Sequence, residues 1–568
     1  MTFDLSLRHT VTSYFNSFLR EWPEHRVVDE SIEIALPEGK RLRLGLARFS
    51  SLGRHRYDGR FDIATGESLS IVTDIEAMEL AASAMASAQG TDRVARFMKR
   101  VEQSREAIES SLDRREKDGS LFATDFGSSE QALLLGHNFH PTPKSQVGFS
   151  GEDAKRYSPE HKGQFPLVWL AARADILHVE SAESFCEEWL QTLFASDTDL
   201  KMPAGYLPLP MHPFQLANLE ERAEIRGYFA TGALLNLGLS SGNWLPTSSV
   251  RAVYRESAPY MLKFSLSVKI TNSVRHLLPH EVVRGLQLTD VLATAEGERF
   301  LRGQERFDVL REPAFACLKF PSGELIAESL VACRENPFRG DAARDCVLLA
   351  SLFQDAPFGG RSPIARLLDE NDRGSSPDSK ANKWLDAYFS AVLEPLLVAH
   401  ADYGIILCAH QQNILLRLEN GYPAASFYRD CQGTGYSRLG RETFAASVPH
   451  LDPAGPNVVS DDMAHALFGY YLFVNATSNV VAGLSEASGL TEDALLSQLR
   501  ERLAQLRSRD LKDRSFLDYL LESPMLQHKG NFACTLADLN ENTSADPLSI
   551  YRPIPNPFAL PTGKRRAP

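Results

Sequence analysis

Residues 260–271 read YMLKFSLSVKIT, with apolar Leu262, Phe264, Leu266, Val268 and Ile270 alternating with Lys263, Ser265, Ser267, Lys269 and Thr271. Side chains on a strand point to opposite faces in turn. This period of two therefore predicts one apolar face and one face bearing two cations and three hydroxyls. Thr271 or Asn272 is placed to cap a following helix whose start carries Arg275, so that backbone N–H groups and a guanidinium meet at a positive helix end. Such a face suits an anion. Elsewhere, helical spacing covers 75–88 (IEAMELAASAMASA) and 95–114, while RLRLGLARF at 41–49 reads as a strand. Asp, Asn, Ser, Gly and one Pro concentrate in DENDRGSSPDSKAN, 369–382, the composition of a linker, and a domain boundary is expected there. Beyond it Trp384, Leu385, Tyr388, Phe389, Val392, Leu393, Leu396 and Leu397 recur at helical spacing and predict a buried helix opening a C-terminal domain.

Composition narrows the class. A chain of 568 residues holds roughly two to four domains. A formal charge of −13 excludes nucleic acid as the main partner, because phosphate-backbone binders present a net basic surface, so any cationic patch is local. Asp4 and Arg8 interrupt the apolar residues at the N-terminus, and no stretch approaches the ~18 apolar residues of a membrane helix. The expected compartment is the cytoplasm, with no membrane partner. The seven cysteines are scattered and form no C-x-x-C, which reads as reduced core residues rather than a disulfide framework or zinc site.

Four further segments carry chemistry. Upstream of the opening strand, LPTSSVR brings Thr247, Ser248, Ser249 and Arg251 together, and if the two segments are neighbouring antiparallel strands Arg251 and Lys263 share a face. In HQQNILLRLENGYPAASFYRD, 410–430, Asn420-Gly421 is a strong hairpin signal. A two-residue turn there makes Asn413 face Tyr428 and Gln411 face Asp430, crowding His410, Gln411, Gln412, Asn413, Arg429 and Asp430 at the open end. Asn413 and Asp430 form an acceptor pair that suits Mg²⁺ shared with phosphate oxygens and water. The loop GHNFHPTPKSQVG, 136–148, is stiffened by Pro141 and Pro143 and offers His137, His140 and Lys144 as a preset phosphate or carboxylate loop. LPLPMHPFQ, ending at Gln215, repeats the His-Pro pairing and reads as structural.

Together with KGNFACTLADLNEN, 529–542, these segments run in one order and resemble the siderophore synthetases that work without nonribosomal peptide synthetases, the aerobactin-synthetase (IucA/IucC) family. The motifs lie in the C-terminal three-quarters; about the first 120 residues correspond only by position. The late K-G-N-F-x-C and N-E-N run looks most like the citrate-using branch. Two positions depart from the family pattern: Cys408 stands where many members carry Glu, and Phe214 replaces a Trp.

The resemblance implies an α+β fold shaped as a cupped hand, with a thumb (1–160), a mixed helical and antiparallel-sheet fingers domain (161–368) and a largely helical palm (369–568). It implies a ligase: Mg-ATP adenylates a carboxylate of citrate or a citrate-like acid, releasing pyrophosphate, and an amine or hydroxyl displaces AMP. By motif, Ser249, Arg251, Lys263, Gln412, Asn413 and Asp430 fall at ATP, phosphate or magnesium positions. His140, Thr271, Arg275, His410 and Lys529 fall where the acid is held. Ser248, from the same turn, and Lys144, from the stiff loop, join the phosphate side. Arg275, His410 and Lys263 are the expected catalytic set, and the resemblance leaves room for a homodimer. Cations between two polyanions offset a repulsion of several kcal/mol and position the in-line attack. The rival readings are a kinase-like phosphotransferase, which would release ADP, a ferric-siderophore binding or reductase protein, and a citrate or nucleotide sensor.

Overall fold

The computed structural model describes residues 4–66, 68–448, 451, 457–539 and 547–560; Asn540, Glu541 and Asn542 of the late motif lie outside them. Helix Leu5–Glu21, capped by Asp4, lays Tyr14, Phe15 and Phe18 on a five-stranded antiparallel sheet of sequential strands, Lys40–Arg48 central among them. Thr73 and Glu76 close a capping box on helix Asp74–Gln89, and helix Val94–Arg115 follows, so both helices stand where the spacing put them.

The middle of the chain builds a six-stranded antiparallel sheet in the order Leu245–Pro246, Ala252–Tyr254, Tyr260–Phe264, Val331–Glu335, Ala314–Leu318, Leu177–Ser181. Here the single strand expected over 260–271 is corrected. It breaks at Ser265, whose hydroxyl donates to the Ala327 carbonyl (2.6 Å) and accepts from the Leu277 amide (2.8 Å). Leu266–Ile270 then leaves the sheet and pairs with Gln146–Val147 and Ser273–Arg275. The two lysines part company: Lys263 is buried, and Lys269 bridges Asp538 at 2.6 Å. Gln215 of the H-P-F-Q run holds the departing strand by accepting from the Ser267 amide, and His212 caps helix Pro213–Glu220, as a structural reading requires.

Arg275 is likewise not at a helix start. Thr271, at φ 53°, makes a tight turn with Asn272, Ser273–Arg275 returns as a strand, and the helix begins at Pro279, whose ring presets the first helical φ.

The Asn420-Gly421 hairpin forms between Ile414–Glu419 and Tyr422–Tyr428, with Leu418 opposite Pro423 as expected. A bulge then shifts the register by one, so Tyr428 faces Ile414 and the Arg429 amide meets the Asn413 carbonyl at 3.1 Å. Pro423 has no N–H to continue the ladder, and the extra residue falls beside it. The expected linker 369–382 is mostly helical: Pro363–Asn371 runs into it and Pro377–Tyr388, capped by Ser376, starts inside it. The apolar residues from Trp384 to Leu397 are buried as predicted, through a π-helical turn at Phe389–Leu393 into Glu394–Tyr403. No helix among the described residues is long and apolar enough to cross a membrane.

Candidate active site

Among the described residues nine other than glycine have positive φ, and three of them, Val250, Thr271 and Asp430, line one cavity of about 320 Å³. Val250 and Thr271 are β-branched, the type for which this conformation is most costly, so the surrounding contacts over-determine both turns. The Val250 amide bonds the Thr247 carbonyl at 2.8 Å, the Thr271 carbonyl accepts from Arg100, and Asp430 is gripped by Lys263. Strain concentrated on three turns that meet is the mark of a functional site.

The cavity draws on five separated stretches of the chain, 136–160, 248–275, 334, 410–475 and 529–539, and of the residues the sequence pointed to it is lined by His140, Lys144, Ser248, Ser249, Arg251, Lys263, Thr271, Arg275, His410, Gln412, Asn413, Asp430 and Lys529. Gln411 does not; it turns inward and accepts from the Asn479 amide group at 2.7 Å. Ala252, not Arg251, lies opposite Lys263 on the neighbouring antiparallel strand, and Arg251 pairs one step along with Phe264. Seven cations (Lys144, Arg251, Lys263, Arg275, Arg334, Arg429, Lys529) face two carboxylates (Glu160, Asp430) across the lining. A chain with a net charge of −13 thus concentrates positive charge on one concave surface, where low-dielectric walls strengthen its pull on an anion.

At one end Lys263, 2% exposed, bonds Asp430 and lies 3.4 Å from Glu312. Glu312 also accepts from Arg334 Nε at 3.0 Å, while its Oε2 has no hydrogen-bond partner. Burial alone would raise Asp430, but Lys263, Arg251 and Arg334 hold it well below the usual carboxylate range. Arg429 is no surface residue: it is buried and donates to both oxygens of Glu130 (2.6 and 3.2 Å) and to the Ser248 hydroxyl (3.1 Å). The same carboxylate accepts from the Ser248 amide at 2.9 Å, locking the T-S-S-V turn to the hairpin end. Lys144 donates to the Leu133 carbonyl (2.7 Å) and sits 3.5 Å from Glu160.

At the other end Arg275 donates to the Ile270 carbonyl (3.2 Å) and the Thr271 hydroxyl (3.3 Å), while its buried Nε has no partner. Burial, with Arg251 nearby, pushes its guanidinium down to about 10, so it stays charged at neutral pH. His410 is pushed to about 4 by burial, which outweighs the opposing pull of Asp430. Its Nδ1 accepts from the Gln412 amide at 3.2 Å, so the neutral ring carries its proton on Nε2. His140 repeats the arrangement, Nδ1 accepting from the Thr142 amide at 3.1 Å and burial holding it uncharged. That end therefore offers cations beside neutral N–H donors. Such a cavity can hold two anions side by side, a strongly charged one at Lys263 and a carboxylate at Arg275.

Glu130, Glu312 and Arg334 escaped the sequence reading. Glu130 opens the E-Q-A-L-L-L-G-H-N run, but its partner is 299 positions away, and no local spacing reports such a pair.

Comparison with known proteins adds an independent line. A family model described as "IucA / IucC family" matches residues 125–354, and one described as "Ferric iron reductase FhuF-like transporter" matches 382–544. Among the described residues no group of three or more His, Cys, Asp or Glu could hold a metal ion, and the seven cysteines form no disulfide. The chain is 36% identical over 97% of its length, and 95% of the relative's, to N(2)-citryl-N(6)-acetyl-N(6)-hydroxylysine synthase of Vibrio mimicus. It is 30% identical to L-2,3-diaminopropanoate–citrate ligase of Staphylococcus aureus over 96% of this chain and 94% of that one. Among solved structures, ATP-bound aerobactin synthetase IucA of Klebsiella pneumoniae superposes with a TM-score of 0.90 at 32% identity, covering 97% of this chain and 100% of that one. The α+β architecture expected from the motifs is thus the observed one.

Proposed function

The chain belongs to the IucA/IucC family of siderophore synthetases, and from that premise we propose that it is an ATP-dependent ligase joining citrate to a primary amine. The reading is carried by one observation: seven cations and two neutral histidines from five separated stretches of the chain line a single cavity. Relatives named for hydroxylysine, diaminopropanoate and spermidine products or substrates share citrate and differ in the amine, so citrate is assigned here and the amine only by class.

In this reading the triphosphate lies along Ser248, Ser249, Arg251 and Lys263, and Lys144 and Gln412 complete that side. A citrate carboxylate lies on Arg275 and Thr271, with His140, His410 and Lys529 holding the other acid groups. The carboxylate attacks the α-phosphorus and pyrophosphate leaves; the amine then attacks the acyl carbon, AMP leaves, and one proton is released. Arg251, Lys263 and Arg275 screen the two anions and orient the in-line approach. His410, neutral and lining the cavity, its Nδ1 occupied by the Gln412 amide, serves through Nε2–H as a hydrogen-bond donor to the acid. Asn413 and Asp430, one amide and one carboxylate in the same cavity lining, would hold Mg²⁺ together with the phosphates. The ion would supply further screening of the phosphates.

The cytoplasm is its proposed compartment, and the 1–160, 161–368 and 369–568 divisions are its proposed domains. Pyrophosphate release by the purified protein, screened over citrate, α-ketoglutarate and succinate against a panel of amines, tests the reading. AMP and pyrophosphate with citrate are expected; ADP instead would establish the phosphotransferase alternative.

A further inference from the structure

The late K-G-N-F run is held from behind by the first helix. Lys529 and Asn531 line the cavity, and Asn531 donates to the Phe139 carbonyl at 3.1 Å, joining this run to the G-H-N-F-H loop. Phe532 plugs into the N-terminal core, its ring 5.0 Å from Tyr14 and 5.2 Å from Phe18. A Cβ on Gly530 would lie 3.1 Å from the Ile550 carbonyl and 3.2 Å from the Glu21 carboxylate, so the glycine lets the chain pass between them.

Two consecutive residues at the end of helix Leu5–Glu21 each take one of these motifs. Glu21 accepts from the Phe532 amide at 2.6 Å and the Ala533 amide at 2.9 Å, one per oxygen. Arg20 lays its guanidinium 3.3 Å from the centre of the Phe139 ring, between His137 and His140 in sequence, and donates to the Leu52 carbonyl at 3.0 Å. Neither residue lines the cavity. Burial drives the Glu21 carboxyl up to about 8, opposed first by the two amides it accepts.

We propose that Arg20 and Glu21 are positioning residues of the acid subsite, a clamp through which the N-terminal helix fixes Lys529 on one side and His140 on the other. Between Lys529 and the clamped Phe532 amide lie only Gly530, with no side chain to stiffen it, and Asn531. Lys529 ends strand Met525–Lys529, where it pairs with Tyr551, so release of the amides loosens it on its C-terminal side, and a misplacement of about 1 Å is enough to cost on the order of 100-fold in a positioned reaction. The nucleotide end, anchored by Glu130 and Glu312, is untouched.

This inference rests on the acid site proposed above, and the experiment separates the two. Pyrophosphate release is measured with citrate, with hydroxylamine as surrogate nucleophile, varying citrate and ATP in turn. Glu21→Ala is expected to raise the citrate KM about 10- to 100-fold with the ATP KM within about twofold, Glu21→Gln to do so less, and Arg20→Lys, which loses the flat stack, to fall between. A role in folding alone lowers the active fraction and leaves both KM values unchanged, which overturns the clamp. Lys529→Ala is the control: if it raises the citrate KM and the Glu21 and Arg20 variants do not, the clamp falls and the acid site stands. If Lys529→Ala leaves the citrate KM unchanged, the acid-site assignment falls and the clamp with it. Should Glu21→Ala fail to fold, Glu21→Gln and Arg20→Lys carry the same readout.

Discussion

Replacing Glu130 with Gln should unfasten the nucleotide end of the cavity without touching its lining. Three donors share the native carboxylate: Arg429 at 2.6 and 3.2 Å and the Ser248 amide at 2.9 Å. The Arg429 and Glu130 side chains are 4% and 2% exposed, so water cannot replace a lost partner. Glutamine keeps one acceptor oxygen and turns its amide group against a donor, and the guanidinium loses its counter-charge. Breaking a buried pair from one side costs about 3–5 kcal/mol. If only a third of that falls on the Ser248–Ser249 turn, ATP binding weakens about tenfold, since each 1.4 kcal/mol or so is a factor of ten. Urea denaturation followed by tryptophan fluorescence reads the stability, and pyrophosphate release at saturating citrate reads the ATP KM. Glu130→Met combined with Arg429→Met removes both charges, so it should recover most of the stability while the ATP KM stays high, because Arg429 itself faces the cavity. A single variant that unfolds at the wild-type urea concentration, or a double variant less stable than either single one, would refute the reasoning.

Arg275→Ala should abolish citrate-dependent pyrophosphate release while ATP still binds by calorimetry; undiminished turnover would sink the carboxylate assignment. Gly136 sits at φ 72°, and a Cβ there would come within 2.8 Å of the Pro143 carbonyl. Gly136→Ala should therefore lower stability by about 1–3 kcal/mol and raise both KM values; wild-type kinetics would count against a preset loop. Burial holds His9, His55 and His410 near about 4 and His137 and His212 near about 3, below the ~6.5 of an unfolded chain. As pH falls through that window the unfolded state binds protons first, so the stability these five histidines contribute is full above about 6.5 and lost progressively toward about 3 to 4, outweighing the opposite contribution of Glu21, raised to about 8, which grows as pH falls below it. A urea midpoint unchanged between pH 7 and 4.5 would contradict it. Removing divalent ions with EDTA should stop pyrophosphate release, with Mg²⁺ restoring it, and Asn413→Ala should raise the Mg²⁺ concentration needed; activity surviving EDTA would exclude the metal role.

Local patterning fixed a good deal of this molecule. The helices at Asp74–Gln89 and Val94–Arg115, the Asn420-Gly421 turn and the run of buried residues from Trp384 follow from nearest-neighbour geometry and burial, which the order of residues states directly. Clusters of Lys, Arg, Asn, Asp and hydroxyls at LPTSSVR, 260–275, 136–148 and 410–430 pointed to anion chemistry by their residue types, while Lys529 and the assignment of residues to the acid came from the family resemblance of six segments standing in order. Tertiary structure decided where each cluster points. Alternation along 260–271 cannot say that Ser265 will bond Ala327 and Leu277 and send Lys269 away from Lys263. Nor can it say that Thr271 turns the chain back before any helix starts, since a tight turn and a cap draw on the same residue types. Glu21, Glu130 and Glu312 were invisible for one reason. A lone carboxylate in a sequence is a surface residue by default, and only the partners the fold brings to it, 22 and 49 positions away for Glu312, 299 for Glu130 and 511 for Glu21, make it a buried anchor.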